Sequence, residues 1–304
     1  MNSLKLSLAT LGTCVTLVAC SPPGASAAAG GAPSEALNAA KSEPVSAPPE
    51  STYTATSRLP GLHAKALGTL PAPAKPSKFA QDDFCSYIAQ KPETAAGKDA
   101  AAKGWTVSSE VTEGGFTAVG IFSQGEQGTS GTCMVRDGNI AIYRGTQLLG
   151  IVYGDTPKEG EMGDVGGVMR TPTPGRLRIG DFTPANYVSG DIVLAENGFE
   201  VAPLATSEKY CGLDIPSLYG KEVPKARALL AKTGWKPKAP REEGDESYPG
   251  HLTGEPEIAD CSGTGYGFCS GGYAHPSGAL MSFTTAGDGP ATIVSYNVIC
   301  PGKK

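Results

Sequence analysis

The sequence predicts an α+β protein: a β-rich antiparallel N-terminal unit, then a C-terminal unit in which a helix precedes an antiparallel meander, both stapled by disulfides. Three observations carry that prediction. Between Thr117 and Val201 the apolar residues fall in short β-rich runs separated by glycine-containing turns. After Cys211 the period becomes helical and then returns to short strands. Cysteines are spread along the chain at wide spacings, as in a disulfide framework.

Taken in order, the chain begins MNSLKLSLATLGTCVTLVAC. One lysine precedes an apolar run from Leu6 to Val18 that is too short and too rich in Thr and Ser to span a bilayer, so residues 1–19 read as an export signal. Its end, Leu17-Val18-Ala19-Cys20, resembles the lipobox of bacterial lipoproteins. That resemblance implies cleavage before Cys20 and diacylation of its sulfur. Because Ser21 and not Asp follows, it also implies delivery to the outer membrane, facing the periplasm. Acyl chains contribute about 0.8 kcal/mol per buried CH₂, so such an anchor needs no spanning helix. No later run approaches the ~18 consecutive apolar residues a span requires.

Residues 20–78 are dominated by Ala, Pro, Ser and Gly, with few large apolar side chains to offset the entropy of ordering, and are expected to form an extended tether. On that reading His63 lies in the tether and is a poor catalytic candidate.

The head divides into residues 79–207 and 208–304. Residues 79–103 place Phe84 and Ile88 at helical spacing, are interrupted by Pro92 and end in an alanine-rich run, predicting one or two short helices. Strands are then expected over Thr117–Ser123, Thr132–Val135, Asn139–Tyr143, Leu148–Tyr153, Gly175–Ile179, Asp191–Leu194 and Phe199–Val201, with turns at Asp137-Gly138, Gly145 and Asn197-Gly198. In the second unit Val223, Ala226, Leu229 and Leu230 share a helical face, Pro224 sits in the first turn and Gly234 at the stop, predicting a helix over Val223–Thr233. After a polar acidic loop, β-like runs follow at Ile258–Ser262, Gly265–Tyr273, Ala279–Thr285 and Thr292–Ile299. Each half carries a Gly-Trp pair after its helical segment, Gly104-Trp105 and Gly234-Trp235, the only two tryptophans, which raises an internal duplication.

Of eight cysteines, Cys14 leaves with the signal and Cys20 takes lipid, leaving Cys85, Cys133, Cys211, Cys261, Cys269 and Cys300 for an oxidising compartment. Spacing alone leaves every connectivity of six open. Position favours one bridge in the first unit, Cys85 with Cys133, and two in the second: Cys261 with Cys269 across a hairpin, and Cys211 with Cys300 tying its ends. A zinc site needs paired short spacings, and the stretch CSGTGYGFCSGG from Cys261 to Gly272 has none, so no metal and no cofactor is expected.

Net charge is −5 with no Lys/Arg run, which argues against nucleic acid as a partner. Ser270-Gly271-Gly272 resembles the end of the nucleophile loop of chymotrypsin-like proteases, yet that family's histidine motif precedes neither His251 nor His275. The acidic residues Asp155, Glu159, Glu161 and Asp164 lack EF-hand spacing and read as a solvated loop. No P-loop, nucleophile elbow, zincin or dinucleotide motif occurs, so no catalytic residue is assigned. Ile215-Pro-Ser-Leu-Tyr-Gly220 with Ala226, Leu229, Leu230 and Gly234 resembles the opening of a PASTA domain, which implies wall binding; the downstream cysteines and meander depart from that family. Short helices followed by a disulfide-containing antiparallel sheet are similar to beta-lactamase inhibitor protein and related exported inhibitor modules, which implies a protein-binding role.

The expectation is a non-catalytic periplasmic lipoprotein that touches the membrane through its lipid anchor only. It would bind and block an exported protein partner of basic character, as an inhibitor or immunity protein against a toxin or wall-degrading enzyme. A peptidoglycan-binding or envelope-assembly lipoprotein is the alternative, and a periplasmic hydrolase the third class.

Overall fold

Two five-stranded sheets face each other in the first half of the head, and a helix lies on a third five-stranded sheet, wholly antiparallel, in the second. The computed structural model describes residues 53–74, 84–127, 133–155, 165–182, 187–238, 254–262, 266–287 and 290–302. The export signal, Cys20, His251 and the acidic loop at 239–253 lie outside them.

In the first half, β1 (Thr54–Ser57) and β2 (Leu62–Ala66) come before a short 3-10 turn at Phe84–Ile88 and helix α1 (Ala95–Ala102). Then follow β3 (Thr106–Glu113), β4 (Phe116–Phe122), β5 (Gln124–Gln127), β6 (Cys133–Arg136), β7 (Asn139–Arg144), β8 (Gln147–Gly154), β9 (Gly167–Arg170), β10 (Arg176–Gly180), β11 (Val188–Ala195) and β12 (Gly198–Ala202). One sheet runs β2-β8-β7-β4-β3 and the other β1-β12-β11-β10-β9, with β5-β6 a separate hairpin. All these pairs are antiparallel except β1 with β12. The inner faces bury Phe116, Ile140, Ile142, Leu149, Leu177, Ile179 and Ile192 in one core between the sheets.

Hydroxyls join the β3 and β9 edges: Ser108 Oγ donates to the Gly166 carbonyl (2.6 Å), and Ser109 Oγ accepts the Val168 N–H (3.1 Å). The outer face of the β2-β8 sheet is covered by α1 and by the segment carrying Leu70, so β4 is buried along its whole length. Such two-sided burial explains why FTAVGIF reads as a continuous apolar run instead of an alternation.

The tether expected to reach residue 78 is corrected here. β1 and β2 fall inside that range, pairing with β12 and β8, and Leu62 and Leu70 are buried. Their small and polar residues hid them, because an edge strand needs only alternate side chains buried. β3 went unread for the same reason: TVSSEVTE carries just two large apolar residues.

In the second half, β13 (Ser207–Tyr210) and β14 (Leu213–Pro216) form a hairpin before helix α2 (Val223–Ala231). The short β15 (Lys236–Pro237) follows, then β16 (Ile258–Cys261), β17 (Cys269–Ala274), β18 (Leu280–Ala286) and β19 (Thr292–Ile299). β15 and β16 share one edge of β17, and β18 and β19 continue the antiparallel meander. α2 buries Val223, Ala226 and Leu230 against Tyr273, Met281, Phe283 and Val298, each large side chain contributing roughly 1.5–3 kcal/mol. Residues 48–304 form one compact unit, so the expected division at 207/208 marks a border between hydrophobic cores and not two separate bodies.

Both helices end in the same way. Gly104 (φ 93°) and Gly234 (φ 88°) take the left-handed conformation. The following Trp105 and Trp235 donate their N–H back five residues, to the carbonyls of Ala100 and Leu230 (3.2 and 3.1 Å). This is a glycine C-cap whose next side chain is driven into the core, and both tryptophans are buried. The Gly-Trp repeat therefore has a local physical cause, and in each half helix, Gly-Trp and antiparallel meander follow in the same order.

Candidate functional site

The two halves are held by a buried ion cluster. Arg178 on β10 donates to Asp191 Oδ1 (3.1 Å), to both Glu208 oxygens (2.5 and 3.3 Å) and to Tyr219 Oη (3.0 Å). Its guanidinium also lies over the Tyr219 ring (4.6 Å). Tyr296 and Tyr210 donate to Glu208 Oε2 (3.1 and 3.4 Å), and Arg176 completes the balance at Asp191 (2.8 Å). Burial works against the Arg178 charge, but Glu208, Tyr219 and Asp191 outweigh it and hold the group above its usual range. Burial first, then the negative charge of Glu208, raises Tyr296. Paired charges of opposite sign, closed off by phenols, make this a structural clasp.

The disulfides border the second sheet. Cys261 and Cys269 are direct cross-strand partners on β16 and β17 and are bonded. Cys211 and Cys300 are bonded, tying the β13-β14 hairpin to the residue after β19. Cys133 is also disulfide-bonded, while the side chain of Cys85 lies outside those described.

These staples frame a sheet face that the helix does not cover. Tyr273, Met281, Phe283, Tyr296 and Val298 point to the α2 side, so their neighbours point the other way. Across β17, β18 and β19 the register gives the rows Ser270–Thr284–Ser295, Gly272–Ser282–Asn297 and Ala274–Leu280–Ile299. Ser270, Ser282, Ser295 and Asn297 are exposed, and Leu280 and Ile299 are 37% and 49% exposed at one end. The middle forms a shallow concavity of about 380 Å³ whose lining carries no charged side chain. Gly271 allows the close packing beneath it, since a Cβ there would lie 2.4 Å from both the Glu257 carbonyl and the Phe283 ring. Hydroxyls and amides on this face can donate and accept hydrogen bonds. Its lining residues bring no carboxylate, imidazole or thiol to activate a nucleophile.

Ser270, singled out in the sequence, stands on this open face. His275 engages Ser277 (2.8 Å) and the Thr233 carbonyl (3.1 Å). His63, placed in the tether by sequence, is on β2 and pairs with exposed Asp155 (2.5 Å). Glu159, Glu161 and Asp164 lie outside the described residues. Among the described residues no three His, Cys, Asp or Glu side chains gather to hold a metal, and no helix is long and apolar enough to cross a membrane. The open face itself was missed in the sequence, although the alternation of small polar with large apolar residues through Leu280–Phe283 and Ser295–Val298 carries its signal.

Fold and face together define a class: a disulfide-stapled, strand-rich head that presents an open sheet face with an uncharged central concavity. No protein-family model matches the chain, and neither a curated protein nor a solved structure matches it.

Proposed function

We propose that the chain is a non-catalytic, lipid-anchored envelope protein that binds an exported protein partner across the open face of β17–β19, as an inhibitor or immunity protein. One observation carries the reading: a sheet face bordered by a disulfide is left uncovered by the fold's own helix, and its central concavity is lined by hydroxyl and amide side chains with no charged group, exposed Asp260 and Lys236 standing only at the outer edge of β17. Once a partner covers this face, its hydroxyls and amide can be paired by hydrogen bonds that give specificity, while Leu280 and Ile299 supply apolar area at one end. The LVAC lipobox supports the anchor, and the acidic net charge of −5 suits a basic partner.

The test is inhibition of an exported wall-degrading enzyme encoded beside this chain, with complex formation measured in parallel. Stoichiometric inhibition that is lost in Ser282→Arg and Asn297→Arg, with the fold retained by circular dichroism, is expected. The same hydroxyl and amide rows would also hydrogen-bond sugar hydroxyls, which favours peptidoglycan as the second reading. Co-sedimentation with purified sacculi, abolished by the same substitutions, would select it. A head that binds neither the exported enzyme nor sacculi overturns both readings.

A further inference from the structure

On the helix side of the same sheet, away from the open face, a second cavity of about 240 Å³ opens at the start of α2. It is smaller than the ~300–1,000 Å³ of pockets that enclose a whole small molecule, and so has room for about one side chain. Val223, Ile258, Pro290 and Ala291 form apolar walls, and Cys269 of the cross-strand disulfide adds to them. Two carboxylates complete the lining, Glu222 and Glu255.

Among the described residues, carboxylates outnumber cations around this cavity: Glu222, Glu255 and Glu257 against Lys225 and Arg227. Arg227 is shared: it donates to both oxygens of the fully buried Glu257 (2.8, 2.8 and 3.1 Å) and also pairs with Glu255 Oε2. One guanidinium thus faces two carboxylates, and Glu257 is further committed to the Tyr273 hydroxyl (2.5 Å). Glu255 is raised above its ordinary range by burial and by Glu257, against the opposing pull of Arg227. Its second oxygen has no partner among the described residues. Glu222 holds Lys225 (3.0 Å) through one oxygen on the exposed rim.

An apolar shaft with surplus negative charge complements an alkyl stem that ends in a cation. We infer that this cavity is the socket for a lysine or arginine side chain of the exported partner. The inference rests on the protein-binding reading above and adds a second, charge-selective contact outside the open face.

The probes are Nα-acetyl-lysine methylamide and Nα-acetyl-arginine methylamide, with Nα-acetyl-norleucine methylamide as the neutral control, titrated into the isotope-labelled full chain. Cationic probes should shift the amide resonances of Val223, Ile258 and Ala291 with a Kd on the order of millimolar, and norleucine should bind ~10-fold more weakly or not at all. Glu255→Gln should weaken the cationic probes ~10-fold, with weaker binding also in higher salt. Glu222→Gln, on the rim, carries the test if Glu255→Gln disturbs the Arg227 pairing. Equal binding of norleucine, or no shift at these amides, overturns the socket. A partner complex that is sensitive to Ser282→Arg but indifferent to both glutamine variants also overturns it while leaving the proposed function standing. Probe binding without any exported partner leaves the cation site and removes the protein-binding reading.

Discussion

At the scale of single residues, Arg178 is the side chain on which the join between halves depends. It is 3% exposed and faces two carboxylates, Asp191 and Glu208, that are themselves buried. Removing one member of such a set leaves the others uncompensated in a low-dielectric interior, which costs roughly 3–5 kcal/mol. Arg178→Met should therefore lower stability by about that amount in urea unfolding. Arg178→Met combined with Glu208→Met should recover a large part of the loss, because Asp191 keeps Arg176 and the Ala205 N–H. If the double variant were as unstable as the sum of its parts, the cluster would be acting through packing and not charge. Tyr296→Phe deletes one donor to Glu208 and should cost about 1–2 kcal/mol.

Among elements, the helix ends and the disulfides set separate expectations. Gly234→Ala forces a Cβ into the left-handed region, 3.3 Å from the His275 ring, and should destabilise by roughly 1–2 kcal/mol; Gly104→Ala should behave alike. Bridges are ranked by the loops they close. Cys211–Cys300 spans 89 residues and Cys261–Cys269 spans 8. Paired replacement by alanine should thus cost about 4–5 kcal/mol for the long loop and about 2–3 kcal/mol for the short one, read from thermal or urea midpoints.

The same elements show what the sequence could express. The helix over Val223–Ala231 and the pairing Cys261–Cys269 were legible because helical period, terminal glycine and hairpin spacing are local signals, whereas Cys211–Cys300, 89 residues apart, was favoured only by its position at the two ends of the second unit. β1, β2 and β3 were not, since their partners β12, β8 and β4 supply the burial that their own residues do not announce. The open face was hidden for a related reason: Ser282 and Asn297 become neighbours only through the β18-β19 register.

For the molecule as a whole, three buried and two partly buried tyrosines tie stability to alkaline pH. Tyr143, Tyr210, Tyr219, Tyr273 and Tyr296 are all raised above the ordinary phenol value of 10.0, each first by burial. Neighbouring carboxylates push the same way, Asp99 at Tyr143, Glu257 at Tyr273 and Glu208 at Tyr210 and Tyr296. In the unfolded chain these phenols ionise near 10, whereas in the folded chain they stay protonated to higher pH. The folded state then binds more protons than the unfolded one above that point, so stability is fully present below about pH 10 and falls as pH rises beyond it. The tyrosines are distributed over both halves and three of them meet at the Arg178 cluster, so ionisation should loosen the join together with the two cores. Urea unfolding measured at about pH 8 and about pH 11 should show a marked loss at the higher value. The phenolate absorbance of these tyrosines should rise together with the loss of circular dichroism. Ionisation of these tyrosines near pH 10 with the fold and its urea midpoint unchanged would place their hydroxyls in water and remove this account of how the two halves are held.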